Sequence, residues 1–137
     1  MLQTPLFKTL FFLIVIVGFL NLLAVKFYFY WSIWWFDMMM HFLGGAWIAV
    51  VALWFFYFSG HFKTKIKTSR AVFIAITSAI IIGVLWEVYE LIIGLTLWPE
   101  DSFDTITDVV MDTLGAMFSY MYFIYIDKLP KENENQY

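Results

Sequence analysis

Apolar residues fall into four long runs separated by short polar intervals. The runs cover about 5–25, 37–58, 71–97 and 105–126. Each approaches the ~20 residues with which an α-helix crosses the hydrocarbon core of a bilayer. No water satisfies backbone groups there, and four segments are too few to close a barrel, so each run is expected to be a helix. The pattern predicts an all-α integral membrane bundle of four transmembrane helices. Residues 1–126 form a single domain, and 127–137 form a polar C-terminal tail in which KENENQY reads as disordered. The first run is long, carries only Lys8 ahead of its core and lacks an A-x-A-like site, so it reads as a retained helix and not a signal peptide.

Composition agrees with a membrane protein. The chain is 63% hydrophobic and 14% charged, where a soluble domain would carry about 25% charged residues. Membrane lipids are therefore the expected partners, and nothing points to nucleic acid. The absence of cysteine excludes disulfides, thiolate metal sites and cysteine nucleophiles.

Charge distribution sets a direction. Lys63, Lys65, Lys67 and Arg70 share the interval between the second and third runs, which places it in the cytoplasm by the positive-inside rule. With four spans, both termini are then cytoplasmic too, and only Lys26 faces out. The acids run the other way. Asp37, Glu87, Glu90, Glu100, Asp101, Asp104, Asp108 and Asp112 all fall on the outer side or in the outer halves of helices. The aromatic stretch KFYFYWSIWWF reads as an interfacial belt.

Neighbours on a helix face are three and four residues apart. That spacing joins Asp37, His41 and Gly44 in the second run, Gly83, Glu87, Glu90 and Gly94 in the third, and Asp108, Asp112, Gly115 and Ser119 in the fourth. Small residues let membrane helices approach closely, so these stripes are expected to face one another. In the first run Asn21 reaches a similar level, and Gly18 lies on its face. At 1.5 Å per residue, His41 lies ~6 Å past Asp37, and Glu87 lies ~15 Å short of Leu97, so the groups share one depth in the outer third of the membrane.

Ionisable groups inside a membrane cost at least ~2.5–3.5 kcal/mol each and mark function by default. Several carboxylates at one depth need protons or a metal cation among them. Asp37, His41, Glu87, Glu90, Asp108 and Asp112 are the candidate metal ligands for a divalent cation: Zn, Mn or Fe if imidazole binds, and Mg, Ca or Mn if oxygen dominates. Structural readings compete for some of them. Asp37 suits a helix cap, and Thr105-x-x-Asp108 suits a capping box. A metal there could activate water on an envelope lipid or lipid-linked substrate, with Glu87 or Glu90 as general base and His41 as ligand or acid. The chain then reads as a metal-dependent hydrolase or transferase. A cation or proton transporter is the alternative; four helices are few for a path, so it would require a homo-oligomer. A non-catalytic envelope protein is the third reading.

Asp37-x-x-x-His41-Phe42, Glu87-x-x-Glu90 and Asp108-x-x-x-Asp112-x-x-Gly115-Ala116 together resemble the pattern of VanZ-like small membrane proteins, and more so that of their YjdF-like relatives. VanZ-like proteins usually show Gln where this chain has Glu90, Asn where it has Asp112, and an Arg before the last helix where it has DSFDTITD. The resemblance implies a bacterial or archaeal cell membrane and, for the VanZ branch, a role in the envelope and glycopeptide resistance.

Overall fold

The computed structural model describes residues 5–62, 68–94 and 102–134, with side chains through Ile126. The described residues form five helices and no strand: α1 (Pro5–Phe27), α2 (Phe29–Ser32), α3 (Phe36–Phe58), α4 (Thr68–Ile93) and α5 (Ser102–Glu134). Four of them are long and apolar enough to cross a membrane, with the candidate span of α5 ending at Ile126.

Local chemistry explains the ends. Pro5 opens α1, where its missing N–H is no loss. Tyr28 takes a left-handed conformation at φ 59°, which breaks α1 from the single turn of α2 inside the aromatic belt. Gly94, at φ 75°, ends α4, and its N–H reaches Leu91 O at 3.3 Å. A left-handed glycine is a common helix stop, and it ends this helix at Ile93, before the expected Leu97. Helix α5 continues through Glu134, so the first part of the tail expected to be disordered is helical; 135–137 lie outside the described residues.

Two capping readings fail on these boundaries. The N-cap of α3 is Trp35, with no side-chain cap bond, so Asp37 is a first-turn residue and not the cap. Helix α5 starts at Ser102, which leaves Thr105 and Asp108 inside the helix and not in a capping box.

Packing is governed by small residues. On α4 the buried positions are Ala71, Ala75, Ala79, Gly83 and Glu87, an unbroken four-residue spacing that ends in an acid. On α5 they include Asp108, Asp112, Gly115, Ala116 and Ser119. The backbones of α3 and α5 nearly touch. A Cβ on Gly115 would strike Phe42 O, and one on Gly45 would strike the Asp112 backbone. Ser119 Oγ donates across this contact to Ala46 O at 2.9 Å. The half of the bundle away from His41 is closed by an apolar cluster of Leu6, Ala49, Val50, Leu53, Ala71, Ala75, Ala79, Ala116 and Phe123.

Helix α1 runs along α3. The Trp47 indole donates to Leu10 O at 3.1 Å, and Thr9 Oγ1 and Tyr122 OH lie 2.8 Å apart near the start of α1. At the opposite end of α1, Ala24 packs with Phe36 and Met40. Gly18 has no neighbour among the described residues within reach of a Cβ, so no close helix approach occurs there. Phe11, Phe12, Phe19 and Leu22 are exposed on the surface of α1.

Candidate metal centre

His41 is the hub of the half of the bundle that holds the acids. Its Nε2 lies 3.9 Å from Asp37 Oδ1, 3.9 Å from Glu87 Oε1 and 3.9 Å from Asp108 Oδ2. Its other nitrogen, Nδ1, lies 3.4 Å from Asp112 Oδ2. One imidazole is thus faced by four carboxylates from three helices. His41, Glu87, Asp108 and Asp112 are all buried, whereas the Asp37 side chain keeps about a third of its surface open. The centre therefore has a closed floor and one accessible edge at the start of α3.

Each helix has a reason to deliver its group here. Asp37 and His41 are one turn apart on α3. Asp108 and Asp112 are one turn apart on α5. Glu87 occupies the position where the alanine and glycine stripe of α4 would continue, so its carboxylate enters the helix interface. Gly83, one turn before it, makes room for the Asp112 carboxylate. A Cβ there would collide with Asp112 Oδ2, the oxygen that faces His41 Nδ1. Gly44, by contrast, is only in ordinary contact, with Asp112 Oδ1 4.0 Å from its notional Cβ.

The donor set suits a divalent cation. Asp37, His41 and Asp108 each offer a ligand atom, and all three atoms lie within 4.8 Å of one another. Two buried oxygens of the centre, Glu87 Oε1 and Asp108 Oδ1, have no hydrogen-bond partner among the described residues. An unpaired buried carboxylate oxygen carries a desolvation cost that a metal ion would remove. The contact to Asp112 adds a feature of metal sites. If Nδ1–H donates to a carboxylate, the tautomer is set and the Nε2 lone pair is left for the ion. The 3.9 Å separations would let Nε2 and these carboxylates hold one small ion between them.

Glu90 sits apart. It is half-buried, and its Oε1 accepts from the Trp86 indole at 2.8 Å. Asn21 accepts at 2.9 Å from the Tyr30 hydroxyl and makes no contact with His41. Glu100 and Asp101 lie outside the described residues. The expectation that glycines let the helices approach is met at Gly45 and Gly83, both against Asp112, whereas sequence reasoning missed the part played by Tyr30 at the edge of the centre. Tyr30 was indistinguishable from its neighbours in the aromatic belt.

Four membrane-length helices and a buried histidine–carboxylate group define a small integral membrane bundle with a cation-suited centre. The chain belongs to the family described as Predicted membrane protein (DUF2238), which it matches over residues 1–128. No curated protein and no solved structure matches it.

Proposed function

We propose that this protein is a metal-dependent membrane enzyme, a hydrolase or transferase acting on an envelope lipid or lipid-linked substrate. The observation that carries the reading is the convergence of His41 Nε2 with Asp37, Glu87 and Asp108, while Nδ1 is held by Asp112. In this reading Asp37, His41, Glu87 and Asp108 hold one divalent cation, and Asp112 orients the imidazole. An imidazole ligand among carboxylates favours Mn, Fe or Zn over Mg or Ca. The metal would supply Lewis acidity and an activated water. Glu90, outside the group around His41 and one helical turn beyond Glu87, is the carboxylate left free to take a proton. Both His41 nitrogens face carboxylates, which favours the ligand role over that of a free acid.

The membrane orientation belongs to the same proposal. The basic interval 63–70 and both termini lie in the cytoplasm, so the centre faces the outer leaflet of the cell membrane. The resemblance to VanZ-like and YjdF-like proteins supports an envelope substrate. Transport is the weaker reading. Just inward of His41, α3 and α5 meet backbone to backbone at Gly45 and Gly115, and an apolar cluster follows. That packing favours a site reached from one side over a path through the monomer.

Elemental analysis of protein stripped with chelator and reloaded tests the metal. Wild type should carry stoichiometric metal, and a Glu87→Gln, Asp112→Asn double variant should carry none. Lipid profiles of cells expressing Glu90→Gln test the reaction, with an uncleaved envelope amphiphile expected to accumulate. Ion flux in proteoliposomes that depends on Glu90, with no change in lipids or wall precursors, would reject the enzyme in favour of a carrier.

A further inference from the structure

The open edge of the centre has its own chemistry. Tyr30, from the single-turn helix α2, stands edge-on against Phe36 with ring centroids 5.3 Å apart. Phe36 immediately precedes Asp37 at the start of α3. The Tyr30 hydroxyl donates to Asn21 Oδ1 at 2.9 Å. With that oxygen engaged, Asn21 Nδ2 retains two N–H donors, and the side chain is exposed. Tyr30 also lies within the electrostatic reach of both Asp37 and Glu90. On α4, Glu90 is held by Trp86 with one carboxylate oxygen still available. Asp104, exposed in the first turn of α5, acts electrostatically on Asp37 and Glu87. The edge therefore mixes neutral donors, Asn21 and Tyr30, with carboxylate acceptors, Asp37, Glu90 and Asp104.

Positive charge is scarce here. Lys26 is the only basic residue on the outer side besides His41, and its ammonium rests over the Phe27 ring at 5.6 Å. Six carboxylates (Asp37, Glu87, Glu90, Asp104, Asp108 and Asp112) outweigh the two charges of one divalent ion. Such a field repels a phosphate-bearing head and favours a neutral one. Hydroxyl groups both donate and accept, so they match a surface that offers both functions.

We propose that Asn21, Tyr30 and Glu90 form a headgroup subsite for an amphiphile whose polar head is neutral and rich in hydroxyls, a glycolipid-like molecule held with its chains in the bilayer. This deepens the metal-dependent reading and rests on it for what becomes of the bound lipid. Asn21 donates to a head oxygen. Glu90 accepts from a head hydroxyl. Tyr30 is a positioning residue, because its hydroxyl fixes the Asn21 amide.

The full-length protein, loaded with Mn²⁺ in detergent micelles, would be offered equal amounts of a monoglucosyl diacylglycerol and a phosphatidylglycerol with the same chains. Native mass spectrometry counts the retained lipid, and elemental analysis of the same sample counts metal. The glucolipid should be retained in excess. Tyr30→Phe and Asn21→Asp, both close in size to the native residues, should each lower that excess by roughly ten-fold, the scale of one lost hydrogen bond. Their metal content and melting temperature should match wild type. Equal or greater retention of phosphatidylglycerol, or an undiminished glucolipid excess in both variants, overturns the subsite. A protein that prefers the glucolipid yet binds no metal supports the subsite and overturns the metal reading.

Discussion

His41 Nδ1 and Asp112 Oδ2 lie 3.4 Å apart between α3 and α5, and Gly83 of α4 gives that carboxylate its space. The relationship leaves Nε2 as the nitrogen directed at Asp37, Glu87 and Asp108. In the proposed centre Asp112 would act through the imidazole, because it faces Nδ1 and not Nε2.

Asp112→Asn should therefore weaken the metal without removing its ligands. An outer carboxylate on a ligating histidine is worth about 10–100-fold in affinity. Competition against a calibrated chelator should show a loss in that range, with stoichiometry restored at saturating metal. His41→Gln should cost more for Mn²⁺ and Zn²⁺ than for Mg²⁺ or Ca²⁺, because only the first pair favours imidazole.

Proton competition gives the sign of the pH response. The ligands bind metal in their deprotonated forms, so loading releases protons and affinity must fall as pH falls. Isothermal titration in buffers of different ionisation enthalpy should reveal proton release on metal binding. Its absence would mean that the carboxylates take up no metal in place of protons.

The glycines separate cleanly. Gly115→Ala drives a methyl group into Phe42 O, and Gly45→Ala drives one into the Asp112 backbone. Overpacking of this kind costs about 1–3 kcal/mol, so both variants should melt at lower temperature than wild type in the same detergent. Gly44→Ala and Gly18→Ala should melt near wild type, since the first meets only ordinary contact and the second meets nothing.

The Tyr30 phenol is held above its ordinary value of 10.0, chiefly by burial and then by Asp37 and Glu90. A group whose folded pKa is raised favours the fold fully below the unfolded value. That contribution is lost as pH climbs through the folded one. Ultraviolet titration of wild type against Tyr30→Phe should reveal one tyrosine ionising above the ordinary value. Asp37→Asn combined with Glu90→Gln should bring it down.

Orientation can be read with cysteine, because the native chain has none. A single cysteine in place of Lys65 should resist an impermeant reagent in intact cells and react after the membrane is opened. Strong labelling in intact cells would turn the centre to the inner leaflet.

The four helices and the shared level at which Asp37, Glu87, Asp108 and Asp112 meet His41 were legible in the chain alone. Lipid leaves the backbone no alternative to internal hydrogen bonds, so an apolar run of the right length becomes a helix. A fixed rise per residue then puts Asp37, His41, Glu87, Asp108 and Asp112 at one level. Rotation about each helix axis was not legible. Glu87 and Glu90 are separated by about 60° around the helix, close enough to count as one stripe in sequence. Packing chose between them: the row Ala71, Ala75, Ala79 and Gly83 is the one that fits against α3 and α5, and Glu87 continues it while Glu90 turns aside to Trp86. The same choice on α1 left Gly18 uncovered and sent Asn21 to Tyr30. Spacing along a chain defines a face, but only contact between helices decides which part of that face is buried, because the closest backbone approach occurs where the side chains are smallest.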